Sequence, residues 1–228
     1  MPKPQSVVSL DPISVNQKKN PGIIGRFLIT KRFPGKSVSR SDEFGHYLFC
    51  GKQRSGKTVS MTWFAEQLKK KYEKQKKHVF VFSNYGIGSS FTRLELFKLL
   101  NTIEYEPDCV YIILIDEIHS WFPKDTKDKD ILHQVDILTG EFSQLGKRQI
   151  YVLSSAQVYG RLNKNLREQC LYMVNCKLSM FNKCLNEFIP GDDIMCDELG
   201  RWSGIPKKIL KHGLPRASFD THARVKFD

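Results

Sequence analysis

Two patterns of hydrophobic and polar positions alternate between residues 45 and 180, and together they predict an α/β fold. The run Val110–Ile115 is apolar throughout, as expected of a central parallel strand covered on both faces. Short, mainly apolar runs of strand length occur at His46–Cys50, His78–Phe82, Val110–Ile115, Gln149–Ser155 and Leu171–Leu178.

Segments with helical spacing of apolar residues lie between these strands. In residues 58–74, one face would carry Met61, Phe64, Ala65, Leu68 and Tyr72. Three more helices are predicted at Leu94–Leu100, Ile131–Leu145 and Leu162–Glu168. Strands that alternate with helices favour a mostly parallel central sheet with helices on both faces.

The two ends of the chain lack this regularity. Residues 1–44 are interrupted by five prolines, which predicts an N-terminal arm with a short strand at Ile23–Ile29. The arm could contact a neighbouring subunit or a polyanion, or simply pack on the core. Prolines and glycines after residue 180 predict a loop-rich extension. The chain is thus divided into an arm (1–44), a core (45–180) and an extension (181–228).

Composition adds a basic balance to this picture. There are 36 Lys and Arg against 24 Asp and Glu, a net charge of +12, which favours polyanionic partners but also suits ordinary solubility. The lysines of residues 69–77 could face DNA or form a solvated helix end. The six cysteines include no CxxC pair, which argues against a zinc site. With no signal peptide and no apolar run long enough to cross a bilayer, we expect a cytoplasmic protein without a transmembrane segment.

The strongest chemical signal follows the first predicted strand. Residues 51–58 fit the pattern G-x-x-x-x-G-K-[ST] in full, as Gly51, Lys52, Gln53, Arg54, Ser55, Gly56, Lys57 and Thr58. In such a loop the backbone amides surround phosphate oxygens, Lys57 reaches the β- and γ-phosphates, and Thr58 ligates Mg²⁺. The competing interpretation is a glycine turn with a surface lysine. The strand before the loop and the helix after it favour binding of ATP with Mg²⁺.

Two adjacent carboxylates end the apolar strand Val110–Ile115. Asp116 would hold Mg²⁺ through water, and Glu117 could polarise an attacking water as a general base. Transfer of phosphate to a bound acceptor does not need such a base, so the pair favours hydrolysis. His119 and Trp121 follow this pair and could lie near the site, although we expect them instead to shape a loop or an interface.

Polar and basic residues surround the next strand. Gln157 closes this strand, where an amide can contact the γ-phosphate or the attacking water. Arg148 precedes it, and Arg161 and Arg167 follow. An arginine from a neighbouring subunit can stabilise transition-state charge in phosphoryl transfer. We expect at least one of Arg148 and Arg167 to act in this way.

The ordered motifs GKQRSGKT, IILIDE, GKRQIYVLSSAQ and LREQ resemble the FtsK/HerA group of P-loop ATPases. Within that group, the chain is most similar to genome-packaging ATPases of membrane-containing icosahedral viruses. The zonula occludens toxin-like assembly ATPases of filamentous phages come second. The resemblance implies a RecA-like (ASCE) fold with the nucleotide strand beside the Gln157 strand. By this resemblance, Lys57 would bind phosphate and Thr58 would bind magnesium. Asp116 would be the metal ligand and Glu117 the base, and Gln157 would be the sensor of the nucleotide.

The function that the resemblance implies is a Mg²⁺-dependent ATPase that drives double-stranded DNA through a homo-oligomeric ring, a hexamer or a pentamer. Capsid or portal-vertex proteins would be further partners, and the protein would lie in the host cytoplasm or the virion. No DNA-guiding domain is evident, so the surface that contacts DNA is unassigned. The alternatives are an assembly or export ATPase at a membrane, a small-molecule kinase, which Glu117 disfavours, and a non-enzymatic nucleotide switch.

Overall fold

The computed structural model describes residues 43–179, 183–197 and 201–213. The predicted strand at Ile23–Ile29 and most of the N-terminal arm lie outside these residues. Helices occupy Lys57–Lys74 (α1), Arg93–Thr102 (α2), Ile118–Trp121 (α3), Lys129–Phe142 (α4) and Lys164–Glu168 (α5). Strands occupy Gly45–Cys50 (β1), His78–Ser83 (β2), Ser89–Ser90 (β3), Cys109–Ile115 (β4), Ile150–Ala156 (β5), Cys170–Leu178 (β6), Lys183–Pro190 (β7), Met195–Cys196 (β8), Trp202–Ser203 (β9) and Lys208–Gly213 (β10).

Eight of the described strands form one sheet in the order β10-β7-β6-β1-β5-β4-β2-β3. The strands from β6 to β3 run parallel, whereas β7 and β10 are antiparallel additions at one edge. This confirms the α/β fold with a mostly parallel central sheet. It also confirms that the strand before the glycine-rich loop lies beside the strand before Gln157.

The register of the parallel strands brings the candidate chemistry to one edge of the sheet. Cys50 at the end of β1 pairs with Ala156 at the end of β5, and Ile115 at the end of β4 pairs with Ser154. Because parallel strands share the direction of their carboxyl ends, the residues that follow β1, β4 and β5 meet there.

The central strands are buried on both faces, since helices cover each side. In β1, Tyr47 and Phe49 pack with the apolar face of α1, while Leu48 and Cys50 face α2 and α4. Burial of a side chain of this size contributes about 1.5–3 kcal/mol relative to exposure. This burial explains why β1, β4 and β5 have continuous apolar runs rather than alternating ones.

Helix boundaries are set by capping groups as well as by apolar spacing. Thr92 caps α2 in a capping box with Glu95, so this helix begins at Arg93 and runs past the predicted end at Leu100. Helix α4 begins after Asp128, whose carboxylate accepts backbone N–H bonds from its first turn. It ends at Phe142, and Leu145 instead begins a 3₁₀ turn, which corrects the predicted single helix Ile131–Leu145.

The prediction of a loop-rich extension after residue 180 is corrected at two places. Strand β7 pairs with β6 along its length, and β10 pairs with β7. In β7, Cys184, Phe188 and Ile189 are buried in the main core. A short hairpin of β8 and β9 follows β7. No helix in the described ranges is long and apolar enough to span a membrane.

Candidate nucleotide-binding site

The glycine-rich loop packs so closely on β6 that its first position accepts no side chain. Gly51 has φ of 156°, and a Cβ atom built there would lie 2.6 Å from the backbone oxygen of Cys176 and 2.4 Å from Ser55 Oγ. Gly56 has φ of 82°, in the left-handed region that favours glycine. The two glycines therefore allow the loop to turn from β1 directly into α1.

The first turn of α1 is suited to an anion. Gly56 is its N-cap and supplies no side-chain cap, and no acidic residue occurs in the first turn. The N–H groups at the start of the helix thus remain available, with the positive end of the helix dipole behind them. Lys57 is only 7% exposed, and its Nζ donates a hydrogen bond to the backbone oxygen of Lys52 at 3.2 Å. This places the ammonium across the mouth of the loop.

Thr58 and Asp116 form a pair of oxygen groups beside this loop. Thr58 Oγ1 lies 3.1 Å from Asp116 Oδ1 and 3.2 Å from Oδ2. Ser155 also donates to Asp116 Oδ1, and Asn84 exchanges two hydrogen bonds, of 2.8 and 3.0 Å, with the Asp116 backbone. Hydroxyl and carboxylate oxygens are the ligands that Mg²⁺ prefers, so Thr58 and Asp116 fit a magnesium site.

The sequence analysis gave no role to Asn84 or Ser155. Asn84 directly follows β2, and Ser155 lies near the end of β5, two positions before Gln157 in the chain. Polar residues at the carboxyl end of parallel strands are the signal that could have identified both. That both residues contact Asp116, however, follows from the order of the strands in the sheet, which the sequence analysis did not give for β2.

Glu117 is held in an unusual backbone conformation directly before α3. Its φ is 55°, in the left-handed region, and its N–H donates to Ser155 Oγ at 2.9 Å. Ser120 Oγ donates to its carbonyl oxygen at 2.7 Å. The carboxylate oxygen Oε2 lies 3.5 Å from Gln157 Nε2 and 3.3 Å from His119 Nε2. Both predicted residues, Glu117 and Gln157, are therefore brought into one site.

The electrostatics of the site suit a carboxylate that accepts a proton. Burial, reinforced by the negative charge of Asp116, raises the pKa of Glu117, while Lys57 and Arg161 oppose the rise. Burial, together with the positive charge of Arg161, lowers the pKa of His119, so its imidazole is neutral at pH 7. A raised pKa makes Glu117 a stronger base than a carboxylate in water.

Arg148 lies away from the site of its own subunit, and its role in a neighbouring subunit's site stays a prediction. It precedes β5, so the length of that strand, about 3.3 Å per residue, separates it from the edge with Gln157. Its guanidinium donates to the backbone oxygen of Leu100 at 2.7 Å and pairs with Glu141. The side chain is 17% exposed. These contacts give Arg148 a structural role between α2 and α4.

The two other arginines differ in their surroundings. Arg167 on α5 donates to Cys196 Sγ at 3.1 Å and lies 5.2 Å from the ring centre of Tyr159. Arg161 is exposed, and its charge acts on both Glu117 and His119. The sequence analysis named Arg161 without assigning it a role, because spacing alone did not show which arginine would approach Glu117.

A cleft of about 560 Å³ borders the outer edge of the loop. Gly51 and Lys52 line one side, Gln157 and Leu178 the others, and Trp202 of β9 closes it. The segment after residue 180 therefore contributes to the surroundings of the loop. The sequence analysis assigned no role to Trp202.

The site combines three features. The glycine-rich loop lies between β1 and α1, the Asp-Glu pair follows a strand two places away in the sheet, and a polar residue follows the strand between them. Together these features define a P-loop NTPase. The sequence model of the ATPase family associated with various cellular activities (AAA) matches residues 47–178, and the chain belongs to this family. No curated protein sequence matches the chain.

Several solved structures are similar to this chain at low sequence identity. The N-terminal domain of zonular occludens toxin from Neisseria meningitidis is 15% identical, with a TM-score of 0.50 over 78% of this chain and 98% of that one. The genome packaging NTPase B204 from Sulfolobus turreted icosahedral virus 2, in complex with ATP-gammaS, is 12% identical, with a TM-score of 0.47 over 75% and 98%. The cytoplasmic domain of the type VII secretion ATPase EccC from Thermomonospora curvata is 10% identical, with a TM-score of 0.48 over 76% and 24%.

Proposed function

We propose that this protein hydrolyses ATP with Mg²⁺ and uses the energy to move double-stranded DNA through a ring of identical subunits, packaging a viral genome. One observation supports hydrolysis above all: the Glu117 carboxylate lies beside the Thr58–Asp116 pair and contacts Gln157. A phosphate-binding loop alone would support only nucleotide binding. A base next to the metal ligands adds the means to activate water.

The roles of the residues follow from their positions. The loop amides and Lys57 bind the phosphates, and Thr58 and Asp116 hold Mg²⁺, which neutralises charge on the phosphate oxygens when bound. Glu117 accepts a proton from the water that attacks the γ-phosphorus, while the bond from that phosphorus to the leaving ADP oxygen breaks. Gln157 orients Glu117 and the water. Release of phosphate without any added acceptor would separate this reaction from that of a kinase.

We assign the arginine that acts on a neighbouring subunit to Arg167. Its partners among the described residues are a thiol and an aromatic ring, both weaker partners than a carboxylate, so it can leave them at small cost. Mixing two inactive variants, Glu117→Gln and Arg167→Ala, tests this role. Mixed rings contain interfaces with one intact Glu117 and one intact Arg167, so ATPase activity should reappear. No recovery on mixing would remove Arg167 from the neighbouring site.

DNA as the cargo is supported by the net charge of +12 and by the motifs shared with packaging ATPases. The test is ATPase activity with and without double-stranded DNA over a range of salt, together with mass measurement of the assembled species. We expect DNA to raise turnover and a hexamer or pentamer to form. Turnover that ignores DNA at every salt concentration would reject translocation and leave the ATPase in place.

A second candidate function is assembly or export at a membrane. The fold similarity to the zonular occludens toxin domain extends over 98% of that domain, so architecture does not separate the two candidates. Flotation with liposomes and capture of membrane partners would favour this candidate. Stimulation of ATP turnover by DNA would favour packaging. For that function we place the protein in the host cytoplasm or at the packaging vertex, with capsid or portal proteins as partners.

A further inference from the structure

His119 contacts the same carboxylate oxygen of Glu117 that Gln157 contacts. Its Nε2 atom lies 3.3 Å from Glu117 Oε2, and Gln157 Nε2 lies 3.5 Å from that oxygen. Over the described residues, the other oxygen, Oε1, has no hydrogen-bond partner. Two nitrogen atoms, one of His119 and one of Gln157, thus approach one oxygen of the carboxylate, and no hydrogen bond within the described residues engages the second.

The protonation of His119 is determined by this contact. The ring nitrogen that faces a carboxylate must carry the hydrogen, since otherwise two lone pairs would oppose each other. Burial lowers the pKa of His119, which favours the neutral ring, and placing its single N–H on Nε2 directs that group at Glu117. Nδ1 then has only a lone pair, and this atom is buried without a hydrogen-bond partner in the described structure.

The unpartnered Nδ1 makes a purely structural role a poor explanation. His119 has a side chain only 14% exposed, and a buried acceptor without a donor costs free energy. An apolar side chain of similar volume would fill the same space without that cost. The contact with Glu117 is the gain that offsets it.

We propose that His119 is a positioning residue, which together with Gln157 fixes the Glu117 carboxylate so that Oε1 faces the attacking water. The role rests on the proposed function, because it assumes that Glu117 is the general base. Gln157 approaches from the end of β5 and His119 from α3, so the carboxylate is held from two separate elements. The positive charges near His119 come from Lys57 and Arg161, and the negative charges come from Asp116 and from Glu117 itself.

The test is steady-state ATPase kinetics of the full chain with four substitutions. His119→Leu and His119→Asn remove the donor from the Nε2 position, and we expect kcat to fall about tenfold with little change in KM, the low end for a hydrogen bond to a charged group. His119→Gln places an amide N–H near the Nε2 position, so kcat should stay within about threefold of wild type. His133→Leu, at an exposed histidine of α4, is the matched control and should leave kcat unchanged.

The Asn and Gln variants keep the side chain polar, so this pair decides the question even if the Leu variant does not fold. A structural role predicts equal losses for Asn and Gln, accompanied by a lower melting temperature. Equal kcat values for these two variants, or a wild-type value for all three, would overturn the inference.

A double substitution separates positioning from an independent effect. In the Glu117→Gln background, His119→Leu should cause no further fall in the residual turnover, because the carboxylate that it positions is absent. An equal fold-loss in both backgrounds would contradict the role. Wild-type protein that binds ATP but never hydrolyses it would instead reject the proposed function itself. Normal wild-type turnover with an unaffected His119→Leu variant would reject only the positioning role.

Discussion

The Thr58 hydroxyl lies 3.1 Å from Asp116 Oδ1, although 58 positions separate the two residues in the chain. Thr58 is in the first turn of α1 and Asp116 directly follows β4, which β5 separates from β1 in the sheet. Their contact therefore depends on the whole parallel arrangement rather than on either motif. It also places a hydroxyl and a carboxylate where one cation can bind both.

Asp116→Asn should weaken the effect of Mg²⁺ on nucleotide binding. The substitution removes the negative charge but keeps the size of the side chain, so we expect Mg²⁺ affinity in the nucleotide complex to fall by about 10- to 100-fold. Titration of Mg²⁺ against a fluorescent ATP analogue measures this. Asp136→Asn, on the exposed side of α4, should match wild type. Unchanged Mg²⁺ dependence in the Asp116 variant would remove it from the metal site.

Glu117→Gln should separate binding from turnover. The amide cannot accept a proton from water, so we expect kcat to fall by at least about 100-fold, with ATP still bound. Phosphate release and equilibrium binding of ATP are the two measurements. Glu168→Gln serves as the control, because that carboxylate is 59% exposed on α5. Equal turnover of the Glu117 variant and wild type would mean that another group activates the water.

Two glycine substitutions should have opposite effects on stability. In Gly51→Ala, the new methyl group would meet the Cys176 carbonyl oxygen at 2.6 Å, so we expect a loss of about 1–3 kcal/mol and weaker ATP binding. In Gly140→Ala, within α4, the methyl group meets nothing within 4 Å, and helix propensity should add about 1 kcal/mol. Chemical denaturation measures both. A Gly51 variant that keeps full stability and affinity would show that the loop can move away from β6.

Arg148→Ala should destabilise the fold without changing the chemistry of a folded subunit. The substitution leaves Glu141 and the Leu100 carbonyl without their donor in a mostly buried place, which costs about 1–3 kcal/mol. Arg201→Ala removes a largely exposed ion pair with Asp197 and should change stability by less than about 0.5 kcal/mol. A large loss of kcat in folded Arg148→Ala protein would instead favour the predicted role of Arg148 in a neighbouring subunit's site.

His46 should make the fold sensitive to acid. The side chain is fully buried, with Nε2 2.6 Å from Ser154 Oγ and Nδ1 3.3 Å from Cys170 Sγ, and burial lowers its pKa to about 3. The unfolded chain takes up a proton near pH 6.5, but the folded chain does not until about pH 3. Between these values, the free energy of unfolding should fall by about 1.4 kcal/mol for each pH unit lost.

The variant His46→Asn isolates this contribution. It should be less stable than wild type at pH 7, because the contacts with Ser154 and Cys170 are disturbed, but its stability should fall less steeply below pH 6.5. Urea denaturation at a series of pH values gives the difference between the two slopes. Parallel slopes for wild type and variant would show that His46 takes up no proton on unfolding in this range.

Helix α1 and the central strands were predictable because their signals are local. Continuous apolar runs marked β1, β4 and β5, and helical spacing marked α1, so their bounds agree to within a residue. Strand β7 was missed since Asn186, Glu187 and Pro190 interrupt its pattern. It forms because β6 offers an edge for pairing along its whole length.

The sequence by itself determined the loop from Gly51 to Thr58, the Asp116–Glu117 pair and Gln157, because each combines a motif with the end of a predicted strand. Only the tertiary structure decided which polar groups join them. Asn84, Ser155 and His119 reach the site through strand order and through the left-handed turn at Glu117, and the length of β5 separates Arg148 from the site of its own subunit. Motifs depend on residues adjacent in the chain, whereas these contacts depend on how distant strands pair, which spacing along the chain does not encode.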